Sequence, residues 1–275
     1  MNKEKLLKTL ESMDMRPGRG LGQNFLQDNN LLDYIVRSAG ISENDKILET
    51  GPGFGVLTEL MLAKGADVTA IEYDHRLADY LRKNFDGKNF HLIEADACKV
   101  DLEELTANFG DYYAVANLPY AISSVFIARL LELPNPPKKM VFMLQKEMGQ
   151  RLAAVPGIKN YGSLSVRTQL LYDVKILRIV PPEVFYPPPK VDSAIVAFEL
   201  KKELPSPKLI KHLSKLVKHA FEQRRKQMGK VLGKIYGREK IENAFNQLEM
   251  PLEIRPDKLT VEDFVKLTET IFPPQ

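Results

Sequence analysis

Residues 46–55 read Lys46-Ile-Leu-Glu-Thr-Gly51-Pro-Gly53-Phe-Gly55, and these ten positions decide the fold class. Lys46–Thr50 has the length and apolar content of a buried strand. Glycines at 51, 53 and 55 let the chain turn sharply and approach a ligand closely. Val56–Ala63 then resumes at helical spacing. A strand, a glycine turn and a helix, in that order, make one unit of a parallel sheet covered by helices. The pattern repeats outward from there. Candidate strands lie at Asp67–Glu72, Phe90–Glu94, Tyr112–Ala116 and Lys139–Leu144, with candidate helices between them at His75–Phe85, Leu102–Phe109 and Ser123–Leu131. Most of these strands are nearly continuous apolar runs, as burial on both faces requires.

Beyond Tyr161 the alternation stops. Val174–Val180 and Ala194–Leu200 read as strands separated by Pro187, Pro188 and Pro189. Ser206 is placed to cap a helix with Pro207 in its first position, where a missing N–H costs nothing. From there the chain reads helical to its end, with breaks near Gly237 and residues 250–256. The expectation is an α/β domain over residues 1–203 and a small all-helical domain over residues 204–275.

The chain has 275 residues, 44% of them hydrophobic and 27% charged, with Cys98 as its single cysteine. That composition excludes a collagenous, disordered or disulfide-stapled protein. No apolar run approaches the roughly 18 residues of a membrane span. The opening MNKEKLLKTLESMD lacks an apolar signal core and carries Glu4, Glu11 and Asp14, so a cytoplasmic protein without a membrane partner is expected. His75, His91, His212 and His219 form no metal-ligand spacing with Cys98, and no metal is expected. Nothing points to an obligate dimer, so a monomer is expected.

The net charge of +3 is unevenly distributed. Residues 201–240 hold 13 basic and three acidic side chains, whereas residues 1–200 are net −3 and residues 241–275 net −4. Lys208, Lys211, Lys215, Lys218 and Arg225 recur at three- and four-residue steps, opposite an apolar face of Leu209, Leu213, Leu216, Ala220 and Phe221. With Arg224 and Lys226 they suggest a surface for a polyanion such as RNA, contacting phosphates.

The glycine loop departs from the dinucleotide fingerprint, because Val56 stands where G-x-G-x-x-G requires a third glycine. An acid followed by G-x-G-x-G suits a cofactor with an amino-acid tail and no phosphate, namely S-adenosylmethionine. Glu72 ends the second strand, where such folds bind ribose hydroxyls. Asp96 follows the third strand and is placed to accept from an adenine amino group. After the fourth strand comes Asn117-Leu118-Pro119-Tyr120. An exocyclic adenine amine is a poor nucleophile, since its lone pair is delocalised into the ring. Acceptors on its hydrogens, the Asn117 side-chain oxygen and the Leu118 carbonyl, favour a localised lone pair. Pro119 biases Leu118 toward an extended conformation, and Tyr120 offers a stacking face. Phe185, ahead of the proline cluster, is a candidate for the other face of an extruded base.

These segments occur in a telling order: Gly22-Gln-Asn-Phe-Leu26, ETGPGFG at 49–55, Glu72-Tyr73-Asp74, Asp96, NLPY at 117–120, FMLQKE at 142–147, YGSLS at 161–165, YPPPKVDS at 186–193 and AFEQRRK at 220–226. Together they closely resemble the small-subunit ribosomal-RNA adenine N6,N6-dimethyltransferase family, the bacterial kasugamycin-sensitivity methyltransferases. The resemblance implies a Rossmann-like class I methyltransferase sheet with a small C-terminal helical domain. It implies that S-adenosylmethionine is held at Gln23, Asn24, Leu26, Gly51, Gly53, Gly55, Glu72, Tyr73, Asp96, Ala97 and Asn117. It also implies that Asn117 to Tyr120 and Phe185 handle the target adenine. The reaction implied is dimethylation of two adjacent adenines in the 3′-terminal hairpin of small-subunit rRNA, on an immature subunit. Two alternatives are a large-subunit rRNA methyltransferase of the macrolide-resistance type and a mainly non-catalytic assembly factor. PPPKVDS and AFEQRRK favour the small-subunit branch, and the intact NLPY argues against lost catalysis. Thr50 departs from the aliphatic residue usual at that position, and Gln227-Met-Gly-Lys230 departs from the commoner continuation after QRRK.

Overall fold

The computed structural model describes residues 3–15 and 23–273; Gly22 of the GQNFL segment lies outside them. Helix α1 (Lys3–Ser12) comes first, followed by the two-residue strand β1 (Phe25–Leu26) and α2 (Asn29–Ala39). Strands and helices then alternate: β2 (Lys46–Thr50), α3 (Val56–Leu62), β3 (Asp67–Glu72), α4 (His75–Phe85), β4 (Phe90–Glu94), α5 (Leu102–Thr106), β5 (Tyr112–Asn117), α6 (Ser123–Leu130) and β6 (Lys139–Gln145). Helices α7 (Lys146–Leu152) and α8 (Ser163–Leu171) precede β7 (Tyr172–Val180), β8 (Phe185–Tyr186) and β9 (Ser193–Leu200). Four more helices follow: α9 (Pro207–Glu222), α10 (Met228–Tyr236), α11 (Arg238–Gln247) and α12 (Val261–Ile271).

Seven strands form one sheet in the order β4-β3-β2-β5-β6-β9-β7. The pairs β3–β4, β2–β3, β2–β5 and β5–β6 are parallel, and β9 runs antiparallel to β6. The central strands are buried almost throughout, in keeping with their apolar runs, whereas β4 alternates toward solvent because it is the edge. Chain order moves outward from β2 to β4 and then resumes on the other side of β2 with β5. The crevice beyond the carboxyl ends of β2 and β5 is therefore the switch point at which open α/β sheets bind ligands. The glycine loop leaves one of those strands, and Asn117 ends the other.

By packing, the chain divides into two compact units: residues 1–149 with 175–200, and residues 150–174 with 201–275. Residues 150–174 thus group with the C-terminal helices, where the sequence placed them in the sheet domain. The reason lies in α8. Leu164 to Thr168, Leu170 and Leu171 are all buried, so this helix has no solvated face and needs helical neighbours on several sides. In the same unit the Tyr161 hydroxyl donates to Leu259 O at 2.9 Å, and Phe221 packs on Tyr161 and Phe264.

Helix α9 begins as the sequence expects, with the Ser206 hydroxyl accepting from Leu209 N–H at 3.2 Å. It ends at Glu222. Arg224, Arg225 and Lys226 therefore lie in a turn after the helix, and Arg225 does not continue the lysine face as its spacing suggested. Lys208, Lys211, Lys215 and Lys218 are exposed on α9. His219 Nδ1 meets the Tyr236 hydroxyl at 2.9 Å, and His212 packs on Phe272.

Candidate active site

The glycine loop is shaped by what its residues lack. Gly51, Gly53 and Gly55 all have positive φ, between 60° and 71°. A Cβ on Gly51 would stand 2.8 Å from Pro119 Cγ, and one on Gly55 would stand 2.4 Å from Phe85 Cε2. Either side chain would combine backbone strain with a collision. Gly51 and Pro119 in contact mean that the loop after β2 and the NLPY segment after β5 share a wall.

Glu72 connects the loop to the next strand. It is 6% exposed; Oε2 accepts from Gly53 N–H at 3.2 Å, and Oε1 accepts from Tyr73 and Asp74 N–H at 2.9 Å each. Burial pushes this carboxyl upward, while the N–H groups of Asp74, Gly53 and Tyr73 oppose the shift. Oε1 is filled by two donors, whereas Oε2 has room for a second, so that oxygen stands oriented toward a hydroxyl. Asp74 caps α4 and accepts from Gln23 Nε2 at 3.1 Å. Burial alone would raise its pKa, but hydrogen bonds from Arg76 and Gln23 outweigh burial and hold it down. Asp96 Oδ1 accepts from Cys98 N–H at 2.8 Å and so caps its own turn. Arg129, on α6, holds that turn from behind by donating to Ala97 O at 2.6 Å and to Val100 O.

These residues line one cavity of about 340 Å³. Its wall includes Gln23, Asn24, Leu26, Gly51, Gly53, Glu72, Tyr73, Asp96, Ala97 and Asn117 to Tyr120, so nearly every residue expected at the cofactor comes together there. Gly55 is not on the wall; it turns the chain into α3. The volume falls in the range of pockets that enclose small molecules. A glycine cradle, a carboxylate preset by three N–H groups and an exposed tyrosine beside it (Tyr73, 63%) fit the methionine, ribose and adenine parts of S-adenosylmethionine.

At the acceptor end, Asn117 Nδ2 donates to Asn24 O at 2.9 Å. A carbonyl partner requires the amide nitrogen on that side, which turns Oδ1 away from Asn24. Leu118 N–H donates to Met143 O at 3.2 Å, fixing the tetrapeptide to β6. The Tyr120 hydroxyl bonds to Ser193 Oγ, the last residue of YPPPKVDS.

Phe185 is placed differently from its sequence reading. It pairs with Leu26 in the β1–β8 ribbon, where neighbouring residues point to opposite sides. Leu26 and Phe185 face the core with Ile35 and Val180, and Phe185 is only 3% exposed. Phe25 and Tyr186 take the other side with Phe54, Leu6 and Leu10. The aromatic residues on the cavity wall are therefore Phe25, Phe54, Tyr73 and Tyr120, without Phe185. Phe25 and the α1 residue Leu6 are additions to the sequence reading. Phe25 lies between Asn24 and Leu26 without a signal of its own, and Leu6 is separated from the motifs by too much chain for spacing to reveal it.

Two buried polar residues under the loop carry predictions. Glu49 is 1% exposed and accepts from the Thr58 hydroxyl at 2.6 Å. Burial pushes its carboxyl up from 4.5 to about 8, opposed by Thr58 and reinforced by the charge of Glu72. Between those values the folded chain holds a proton that the unfolded chain has lost, so stability falls as pH rises across that window. Glu49→Gln keeps an acceptor for Thr58 and removes the titration. Its thermal midpoint at pH 8 is expected roughly 5 °C above that of the parent, with a flatter profile between pH 5 and 8. Parallel profiles would refute the assignment. Thr50 Oγ1 is buried with no hydrogen-bond partner. Thr50→Val keeps the shape and removes the orphaned hydroxyl, so a gain of about 1 kcal/mol is expected in urea unfolding.

Residues 17–272 match the family described as ribosomal RNA adenine dimethylase. The chain belongs to that family. As a member of it, the dimethylase is a class I methyltransferase that uses S-adenosylmethionine to methylate adenine in ribosomal RNA. Among its relatives is the ribosomal RNA small subunit methyltransferase A of Ligilactobacillus salivarius, 40% identical over 95% of this chain and 92% of the relative. A dimethyladenosine transferase from Plasmodium falciparum has a similar structure, with a TM-score of 0.71 and 28% identity over 88% of this chain and 95% of that one. The 23S rRNA methyltransferase ErmE follows at a TM-score of 0.67, 26% identity, and coverage of 90% and 99%.

Proposed function

We propose that the dimethylase converts two adjacent adenines in the 3′-terminal hairpin of small-subunit rRNA to N6,N6-dimethyladenosine, acting as a cytoplasmic monomer on an immature subunit. The observation that carries the chemistry is the packing of Gly51 on Pro119, so close that an added Cβ would stand 2.8 Å from the ring, which sets the acceptor tetrapeptide against the cofactor loop. The small-subunit assignment is supported by PPPKVDS, AFEQRRK and the name of the relative that is 40% identical. When bound, S-adenosylmethionine supplies an electrophilic methyl group on a sulfonium. Glu72 binds the ribose hydroxyls and Asp96 the adenine amine of that cofactor. Asn117 Oδ1 and the Leu118 carbonyl accept the two hydrogens of the target amine and draw its lone pair toward the methyl. Tyr120, braced by Ser193, stacks on the base. No strong general base is required: the nitrogen that has gained the methyl carries a positive charge and gives its proton to solvent water, so positioning is the main contribution. The lysines of α9, with Arg225 and Lys226, supply phosphate contacts that set affinity and register.

The test is incubation with immature small subunits and methyl-labelled cofactor. Labelled dimethyladenosine in the 3′-terminal hairpin is the expected product. Label in large-subunit RNA would transfer the assignment to the other branch, and no incorporation would overturn it.

A further inference from the structure

Arg224 reads as a phosphate ligand beside Arg225 and Lys226, but its guanidinium is already committed. It donates to Lys159 O at 2.5 Å and to Ile158 O at 3.3 Å. The loop it holds, Ala153-Ala-Val-Pro-Gly-Ile-Lys-Asn160, is tied down at several other points within the same unit. Gln169 Nε2 donates to Leu152 O and Ala154 O, at 2.9 and 2.8 Å. Gly157 N–H donates to Asp257 O at 2.7 Å, and Tyr161 N–H to Ile158 O at 3.0 Å. Yet this fastened backbone presents two large apolar side chains to solvent: Val155 is 57% exposed and Ile158 53%. Lys159 is exposed on the loop, and Arg225 and Lys226 are exposed next to Arg224 in the chain.

Fixing a loop costs conformational entropy, and here that cost buries Ala154 but leaves Val155 and Ile158 in solvent. Val155 and Ile158 are β-branched and Pro156 lies between them, so little further freedom is lost when a partner covers them. Cations on the loop and in the adjoining turn favour an anionic partner. A double-stranded RNA groove offers this combination, since its shallow face presents riboses and base edges between two lines of phosphate.

We propose that residues 155–159 form a rigid RNA-docking loop. Val155 and Ile158 pack on sugar and base edges, Lys159, Arg225 and Lys226 meet the flanking phosphates, and Arg224 is the post that holds the loop in place. The proposal rests on the reading of the chain as an enzyme of ribosomal RNA. It is tested with the full chain and small ribosomal subunits from cells lacking the enzyme. The double variant V155S/I158S is expected to bind about tenfold more weakly with an unchanged salt slope. R225Q/K226Q is expected to flatten the slope by about two phosphate contacts. Arg224→Met is expected to reproduce the loss of V155S/I158S with the salt slope kept, which a phosphate ligand would not do. Binding of S-adenosylhomocysteine reports folding and stays unchanged in all three. A photocrosslinking residue at position 155 is expected to join rRNA. Binding of V155S/I158S within twofold of the parent, or a crosslink to a ribosomal protein, would overturn the docking loop alone. Failure of the parent itself to bind subunits would remove the RNA reading beneath it.

Discussion

Asn117→Ala is expected to lower the rate of methyl transfer by about 10²–10³-fold while binding of ribosomal subunits stays within twofold. The substitution removes the Oδ1 acceptor and also the 2.9 Å tie to Asn24 O that orients it. Asn117→Asp separates these two roles. The carboxylate is as good an acceptor, but it has no hydrogen to donate to Asn24 O and is repelled by it. If orientation matters as argued, the aspartate variant loses nearly as much rate as the alanine variant. Single-turnover methylation on saturating subunits measures both. Near-normal turnover in the aspartate variant would leave acceptance alone as the role, and near-normal turnover in the alanine variant would remove Asn117 from the chemistry.

Gly51→Ala is expected to abolish measurable cofactor binding, with a loss of at least about 10²-fold, and to take methylation with it. Its φ of 68° costs about 1–2 kcal/mol for any L-residue, and the added methyl meets Pro119 at 2.8 Å. Relief of that contact must move either the glycine loop or the NLPY segment, and both line the cavity. Gly40 gives a matched control. It caps α2 at φ 72° with nothing within 4 Å of an added Cβ, so Gly40→Ala carries the backbone strain without the collision. Calorimetric titration with S-adenosylhomocysteine is expected to show near-parental affinity for Gly40→Ala and none for Gly51→Ala, with similar strain-related drops in melting temperature. Equal affinities would show that the Pro119 contact does not shape the site.

The parallel half of the sheet was legible because its strands are buried on both faces and each ends at a turn signal. Lys46–Thr50, Asp67–Glu72 and Phe90–Glu94 read from sequence with the boundaries the structure shows. The cofactor cavity was legible for a related reason, since its residues follow strand ends at fixed offsets. What escaped was set by distant parts of the chain. Helix α1 covers the glycine loop through Leu6, Leu10 and Phe54, an arrangement without local signature. Phe185 is turned inward by a two-residue pairing with Leu26, too short to leave a periodic pattern. Regular three- and four-residue spacing carried Arg225 onto a helix that stops at Glu222. Arg224 looked like a surface cation because no sequence pattern reveals that its partners are the carbonyls of residues 158 and 159.

The reversal of a single strand has a consequence for what meets at the catalytic edge. Strand β9 runs against β6, with Ser193 opposite Gln145. It therefore starts where its parallel neighbours finish, and the proline segment 187–192 arrives at the catalytic edge from the opposite chain direction. Loops of two origins meet there: one set leaves the parallel strands and lines the cavity, and the other enters β9 and braces Tyr120 through Ser193. The fold thus brings loops from two chain directions to one edge, and the loop entering β9 belongs to none of β2, β3 and β4.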